Sequence, residues 1–229
     1  MFKKHALIGA LTLLLVACQT TQKASRPANA SDYENDLKAP KIAGELLLVD
    51  RKVFDQPEYG MSLKYVDESF PEDFVTVYIY PIAKTNWSDT EKVVAEELQF
   101  VMDEVEAAKK LGKYQDVQPA TMQMVQFETQ GKQFLGKQAQ FVMQTHDGAE
   151  YHSEAYVFIA EDKYIKFRLS FPKHTARENT GIDIVKSILP EIEVPKESEY
   201  MYALRESHRK EMIQKLMKLL MDNAKSDQS

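Results

Sequence analysis

The residues best suited by type and spacing to chemistry lie between His146 and Glu154. The run holds His146, Asp147, Glu150, His152 and Glu154. A hairpin turning at His146-Asp147-Gly148 would bring His146 back toward His152, and strand alternation sets His152 and Glu154 on one face. Imidazole and carboxylate are zinc ligands, so His146, His152 and Glu154 are the candidate metal set. The same residues also spell an ordinary Asp-Gly turn followed by the wet face of a strand. The spacing favours that second reading, and no metal or other cofactor is expected. A second group, Tyr78, Tyr80, Trp87, Tyr151, Tyr156 and Tyr164, could line a ligand or partner surface. Aromatic residues on strands more often serve core and cross-strand packing.

Motifs that would assign a reaction are absent. The sequence contains no Gly-x-Ser-x-Gly, no phosphate-cradling glycine loop and no His-Glu-x-x-His, and each of these encodes a specific catalytic geometry. The expectation is a protein that binds and does not catalyse. The alternative is a small-ligand binder or hydrolase acting on envelope material through a cleft near His152.

Cys18 is the only cysteine, and its surroundings define its chemistry. Lys3 and Lys4 precede an apolar run, Ala6 to Ala17, whose length suits a signal-peptide core and falls short of the roughly twenty residues of a membrane span. Leu15-Val16-Ala17-Cys18 resembles the lipobox of bacterial lipoproteins. That resemblance implies cleavage before Cys18 and attachment of lipid to its thiol, a step that needs a nucleophilic sulfur. Two or three acyl chains anchor firmly where one is marginal. Residue 19 is Gln and not Asp, which by the same resemblance implies the outer membrane, facing the periplasm. The outer face of the cytoplasmic membrane is the alternative. With its one thiol lipidated, the exported domain would have no disulfide and would depend on its core.

The chain has 29 Lys and Arg against 35 Asp and Glu, and loss of residues 1–17 would remove Lys3 and Lys4. An acidic surface argues against nucleic acid as a partner. Four segments follow: a signal peptide at 1–17, a lipidated and flexible polar tether at 18–41, one α+β domain at 42–195, and a C-terminal helix and tail at 196–229.

Within the domain, Leu46–Phe54 and Met61–Val66 read as a hairpin about the turn Gln56-Pro57-Glu58-Tyr59-Gly60. Phe74–Tyr80 alternates, with Val75, Val77 and Ile79 opposite Thr76, Tyr78 and Tyr80. Ser88-Asp89-Thr90-Glu91 reads as a capping box opening a long helix, in which Val94, Leu98, Val101, Val105 and Ala108 form one stripe. Gly112 stops it. A meander follows, at 121–129, 134–145, 151–160 and 164–171, its turns short and polar. Ile165, Phe167, Leu169 and Phe171 alternate with Lys166, Arg168 and Ser170, so one face is expected in the core. A short helix over 180–189 turns Ile184, Val185, Ile188 and Leu189 inward.

This order resembles the PsbP-like fold, shared by a photosystem subunit, a nuclear import factor and many small bacterial lipoproteins. Tyr59-Gly60-Met61-Ser62-Leu63-Lys64-Tyr65, Val75-Thr76-Val77-Tyr78-Ile79-Tyr80-Pro81 and Ile184-Val185-Lys186-Ser187-Ile188-Leu189 carry the resemblance. It implies a mostly antiparallel sheet with helices on both faces, an α/β/α sandwich, and a role in binding without a defined substrate.

The C-terminal helix is charged over 205–211 and then apolar at Met212, Ile213, Leu216, Met217, Leu219, Leu220 and Met221. Such a surface needs cover. It folds back on the domain, pairs with a second copy as a homodimer, docks in another envelope protein, or touches the membrane through Lys210, Lys215 and Lys218. Met212, Leu216 and Leu220 are its candidate contact residues.

Overall fold

The computed structural model describes residues 32–34, 36–176 and 180–226, and in the last helix the side chains up to 218 and that of Met221. The expected signal peptide, the lipidation of Cys18 and the side chain of Leu220 lie outside the described residues.

The chain folds as α+β around one antiparallel sheet. Its strands are β1 (Ile42–Ala43), β2 (Leu46–Val53), β3 (Met61–Asp67), β4 (Phe74–Pro81), β5 (Asp116–Val117), β6 (Thr121–Thr129), β7 (Lys132–Gln144), β8 (Glu150–Ala160) and β9 (Lys163–Pro172). Their order is β1-β2-β3-β4-β9-β8-β7-β5, with β6 also paired to β7. Thus β5 and β6 follow the same edge of β7 in turn, at Gln144 and Met143 and then from Gln140 to Lys132. Helix α1 spans Thr90–Lys110, α2 Gly181–Ile188 and α3 Glu199–Ser226. Among the described residues no helix is long and apolar enough to cross a membrane.

Strand alternation sorts side chains to two faces. Val75, Val77 and Ile79 of β4, Tyr156 and Phe158 of β8, and Ile165, Phe167 and Leu169 of β9 join one buried cluster with Ile184, Val185 and Ile188 of α2. On the other face Ala139, Ala155, Val157 and Tyr164 meet Val94, Leu98 and Val101 of α1. Both faces of β8 are therefore covered, and burial of this apolar surface is the main stabilising contribution.

The start of α1 differs from the expectation. The cap is Asp89, whose carboxylate accepts from the Lys92 amide at 3.1 Å, so the helix begins one residue later than a Ser88 box would place it. Asp is as good an N-cap as Ser, and it wins here without a box partner three residues on. The far end is as expected. Gly112 has φ +69, and the amides of Gly112 and Lys113 bond the carbonyls of Lys109 and Ala108, the paired bonds of a Schellman stop.

The tether boundary moves. Tyr33 and Leu37 are buried in the α2-side core, and Asp32 is fully buried beside Lys163. Lys38 also bridges to Glu193. The segment from Asp32 to Pro40 is polar on average, but Tyr33 and Leu37 find apolar partners and Asp32 finds a cation. Composition averaged over the stretch hides those pairings.

Candidate functional site

The structure separates the candidate residues into three places. The first is a buried network beneath α2. Glu154 is only 4% exposed. Its carboxylate accepts from the Tyr156 hydroxyl and from Gln138 Nε2 at 3.3 Å, and pairs with His152 Nε2 at 3.2 Å. Gly181, the first residue of α2, lies so close that a Cβ there would strike the Glu154 carboxylate. His152 and Glu154 do share a face, but the solvated sheet face expected there is roofed by α2, because the helix needs that side to bury Ile184 and Val185. His146 goes elsewhere, its Nε2 2.8 Å from the Gly112 carbonyl. Among the described residues no three His, Cys, Asp or Glu side chains converge to hold a metal.

Burial and the Glu154 hydrogen bond push the Tyr156 hydroxyl far above the ordinary tyrosine range. It donates to Glu154 and accepts from Gln138 Nε2 at 2.8 Å, so the network is satisfied internally. Among the described residues His146, His152, His174 and His208 meet a carbonyl or carboxylates. Among the described residues no histidine ring bonds a Ser or Thr hydroxyl.

The second place is the root of α3. Ser198 Oγ accepts from the Met201 amide at 3.2 Å, and Met201 enters the core. Arg205 makes a two-pronged bond to Glu197, at 2.9 and 2.7 Å, and its guanidinium lies 5.0 Å from the Trp87 ring centroid. Glu197 holds Arg205 above even the usual arginine range. One turn on, His208 Nε2 meets Glu58 at 2.9 Å. Pro81 and Ile82 face Leu204, His208 and Met212 across a cleft of about 480 Å³. From Met212 onward the described apolar side chains are largely uncovered: Met212, Ile213, Leu216, Met217 and Met221 are 46–66% exposed. Trp87 thus braces the base of α3.

The third place is a cleft of about 470 Å³ on the α1 face of the sheet. Helix α1 covers β7 and β8 and leaves part of β4 and β9 open. Thr76 and Tyr78 of β4 stand opposite Arg168 and Lys166 of β9. Phe141, Tyr151 and Tyr114 wall the cleft. Lys166 is 13% exposed, sits over the rings of Tyr78 and Tyr80 at 5.3 and 5.0 Å, and burial draws it below the usual lysine range. Tyr80 is turned toward α1, donating to Glu97 at 2.6 Å. Of the expected aromatic trio, Tyr78 lines the cleft, Tyr80 braces α1, and Trp87 braces α3.

Arg168 was legible only as a polar residue alternating with Phe167 and Leu169. That alternation suggested a wet face. Arg168 shares its cleft with Tyr114 and with Phe141 and Met143 of β7, distant in sequence, and no local signal announces that grouping.

No family model matches this chain, and no curated protein matches it. Among solved structures it is similar to the solution structure of cyanobacterial PsbP (CyanoP) from Synechocystis sp. PCC 6803. The match has a TM-score of 0.43 and 14% sequence identity, and covers 69% of this chain and 92% of that one.

Proposed function

We propose that this protein is a lipid-anchored, non-enzymatic binding module of the bacterial envelope that engages another envelope protein through α3. The observation that carries the reading is the contrast along one helix. Its first turns are fastened by Met201, Arg205 and His208, whereas Met212, Ile213, Leu216, Met217 and Met221 are exposed. At 100° per residue these five positions sweep about half the helix circumference. A two-helix seam uses a narrower stripe, so the sweep fits a concave apolar groove better than a second copy of α3. Methionine suits such a groove because its unbranched chain adapts to the wall it meets.

The anchor belongs to the same reading. With lipid on Cys18, residues 19–31 would hold the domain within about 45 Å of the membrane, at the periplasmic face of the outer membrane or the outer face of the cytoplasmic membrane. The PsbP-like resemblance supports a binding role and no particular partner.

A photo-crosslinking residue at position 216 in living cells tests the interaction. The expected result is one discrete adduct with another protein, absent when the probe sits at Lys215 on the opposite arc. An adduct only with a second copy of the chain, or with lipid, overturns it. Loss of fatty-acid labelling in Cys18→Ser checks the anchor separately.

A further inference from the structure

We infer that the cleft on the α1 face is a binding site for a small aromatic carboxylate, its acid group seated on Arg168 and its ring laid against the aromatic wall of Phe74, Tyr78 and Tyr151. The inference does not depend on the role of α3.

Charge is the first observation. Arg168 is half-buried in a cleft whose lining holds no Asp or Glu. Among the described residues no side chain or carbonyl bonds its guanidinium. A cation withdrawn from water without a counter-charge is costly. The other described arginines have partners: Arg205 takes Glu197, Arg209 takes Glu206 and Arg51 takes the carbonyls of Tyr33 and Leu37. Arg168 is the exception among the described arginines, and the same face places Lys166 two residues away. Lys166 already has Glu104 at 3.9 Å, which leaves Arg168 as the cation of the cleft lining in a chain of net charge −6.

Shape and donors are the second. The floor is made of four hydrogen-bonded strands, β4, β9, β8 and β7, a rigid base for a preformed site. Ser153 Oγ and Ser170 Oγ are 2.9 Å apart, and whichever donates, the other keeps a hydroxyl proton free for a ligand. The rings of Phe74 and Tyr151 stand 6.1 Å apart at 60°, beside Tyr78. A volume of about 470 Å³ lies within the range of small-ligand pockets. The guanidinium fork matches a carboxylate in two-pronged geometry, and the aromatic walls select a flat apolar body.

The test compares 1-naphthoate with its neutral analogue 1-naphthamide, titrated by calorimetry into the full domain. The wild type should bind the acid at least about tenfold more tightly, the usual worth of one charge-assisted contact. Arg168→Met should erase that preference. Because Arg168→Met could perturb folding, Thr76→Glu provides the second arm. Thr76 is the direct cross-strand partner of Arg168, so the new carboxylate should occupy the guanidinium, abolish the preference and raise the melting temperature. Equal binding of the two probes by the wild type, no binding of either, or a preference that survives both substitutions overturns the inference.

Discussion

Lys163 and Asp32 form an ion pair with Nζ and Oδ2 3.0 Å apart and neither side chain exposed. The ammonium also bonds Asp162 at 2.7 Å and reaches the Pro195 carbonyl at 3.3 Å. Asp32 in turn accepts from the amide of Ser198. One buried cation therefore gathers the start of the described chain, the β8–β9 turn and the entrance to α3. Burial pushes the Asp162 carboxyl above its usual range, with Lys163 opposing that shift.

Removing the cation strands two acids in the core. Lys163→Met is expected to destabilise the fold by about 3–5 kcal/mol, the usual cost of leaving a buried charge uncompensated. Asp32→Asn should cost less, since Asp162 still faces the ammonium. Urea unfolding of both variants checks the order. Equal, small losses would mean that water already reaches the cluster.

The start of α2 should confer acid sensitivity. Thr180 and Asp183 form a reciprocal capping box, and the hydrogen bonds from Thr180 hold the Asp183 carboxyl below the ordinary aspartate range. A lowered folded-state pKa means that the native state binds fewer protons. The stabilisation is present above the unfolded pKa and disappears as pH falls through the folded one. Asp183→Ala should therefore cost about 1 kcal/mol at neutral pH, and the gap should close in acid, well below pH ~4. Denaturant midpoints at the two pH values measure it.

Two glycines with nearly the same φ should respond differently. Gly60 and Gly112 have φ +67 and +69. A Cβ on Gly112 meets nothing within 4 Å, whereas on Gly60 it would collide with the Ile79 carbonyl oxygen. Gly112→Ala carries only the left-handed penalty, about 1 kcal/mol. Gly60→Ala adds displacement of β4 from β3 and should lose several times as much. Thermal melts of the pair separate backbone conformation from space.

What could be read from sequence follows the range over which the signal acts. The alternation of Ile165, Phe167, Leu169 and Phe171, the stripe from Val94 to Val105 and the turn glycines are local patterns, and the structure bears them out. Tyr33 and Leu37 escaped because an isolated apolar residue in a polar run has no period. Glu154 escaped for a different reason. Its strand position is unremarkable, and only α2, whose chain begins more than twenty residues later, turns that face into an interior. The same limit applies to Arg168, which shares its sequence pattern with any exposed strand cation.

Helix α3 should divide into a half that stabilises and a half that does not. Arg205→Ala removes a two-pronged bond to Glu197, at side-chain exposures of 17% and 15%, together with the contact on Trp87. A partly buried pair of this geometry, lost with its cation–π contact, should cost about 1–3 kcal/mol. Leu216→Asp changes a 57% exposed side chain that the isolated domain has no use for, so its stability should stay within about 0.5 kcal/mol of the wild type. Near that residue a carboxylate also lies toward the end of the helix, where it is mildly disfavoured, and this sets the sign of any residual effect. Unfolding midpoints at two protein concentrations decide the matter. If Leu216→Asp destabilises at high concentration and not at low, α3 is held by a second copy of the chain, and the groove must be sought within a dimer.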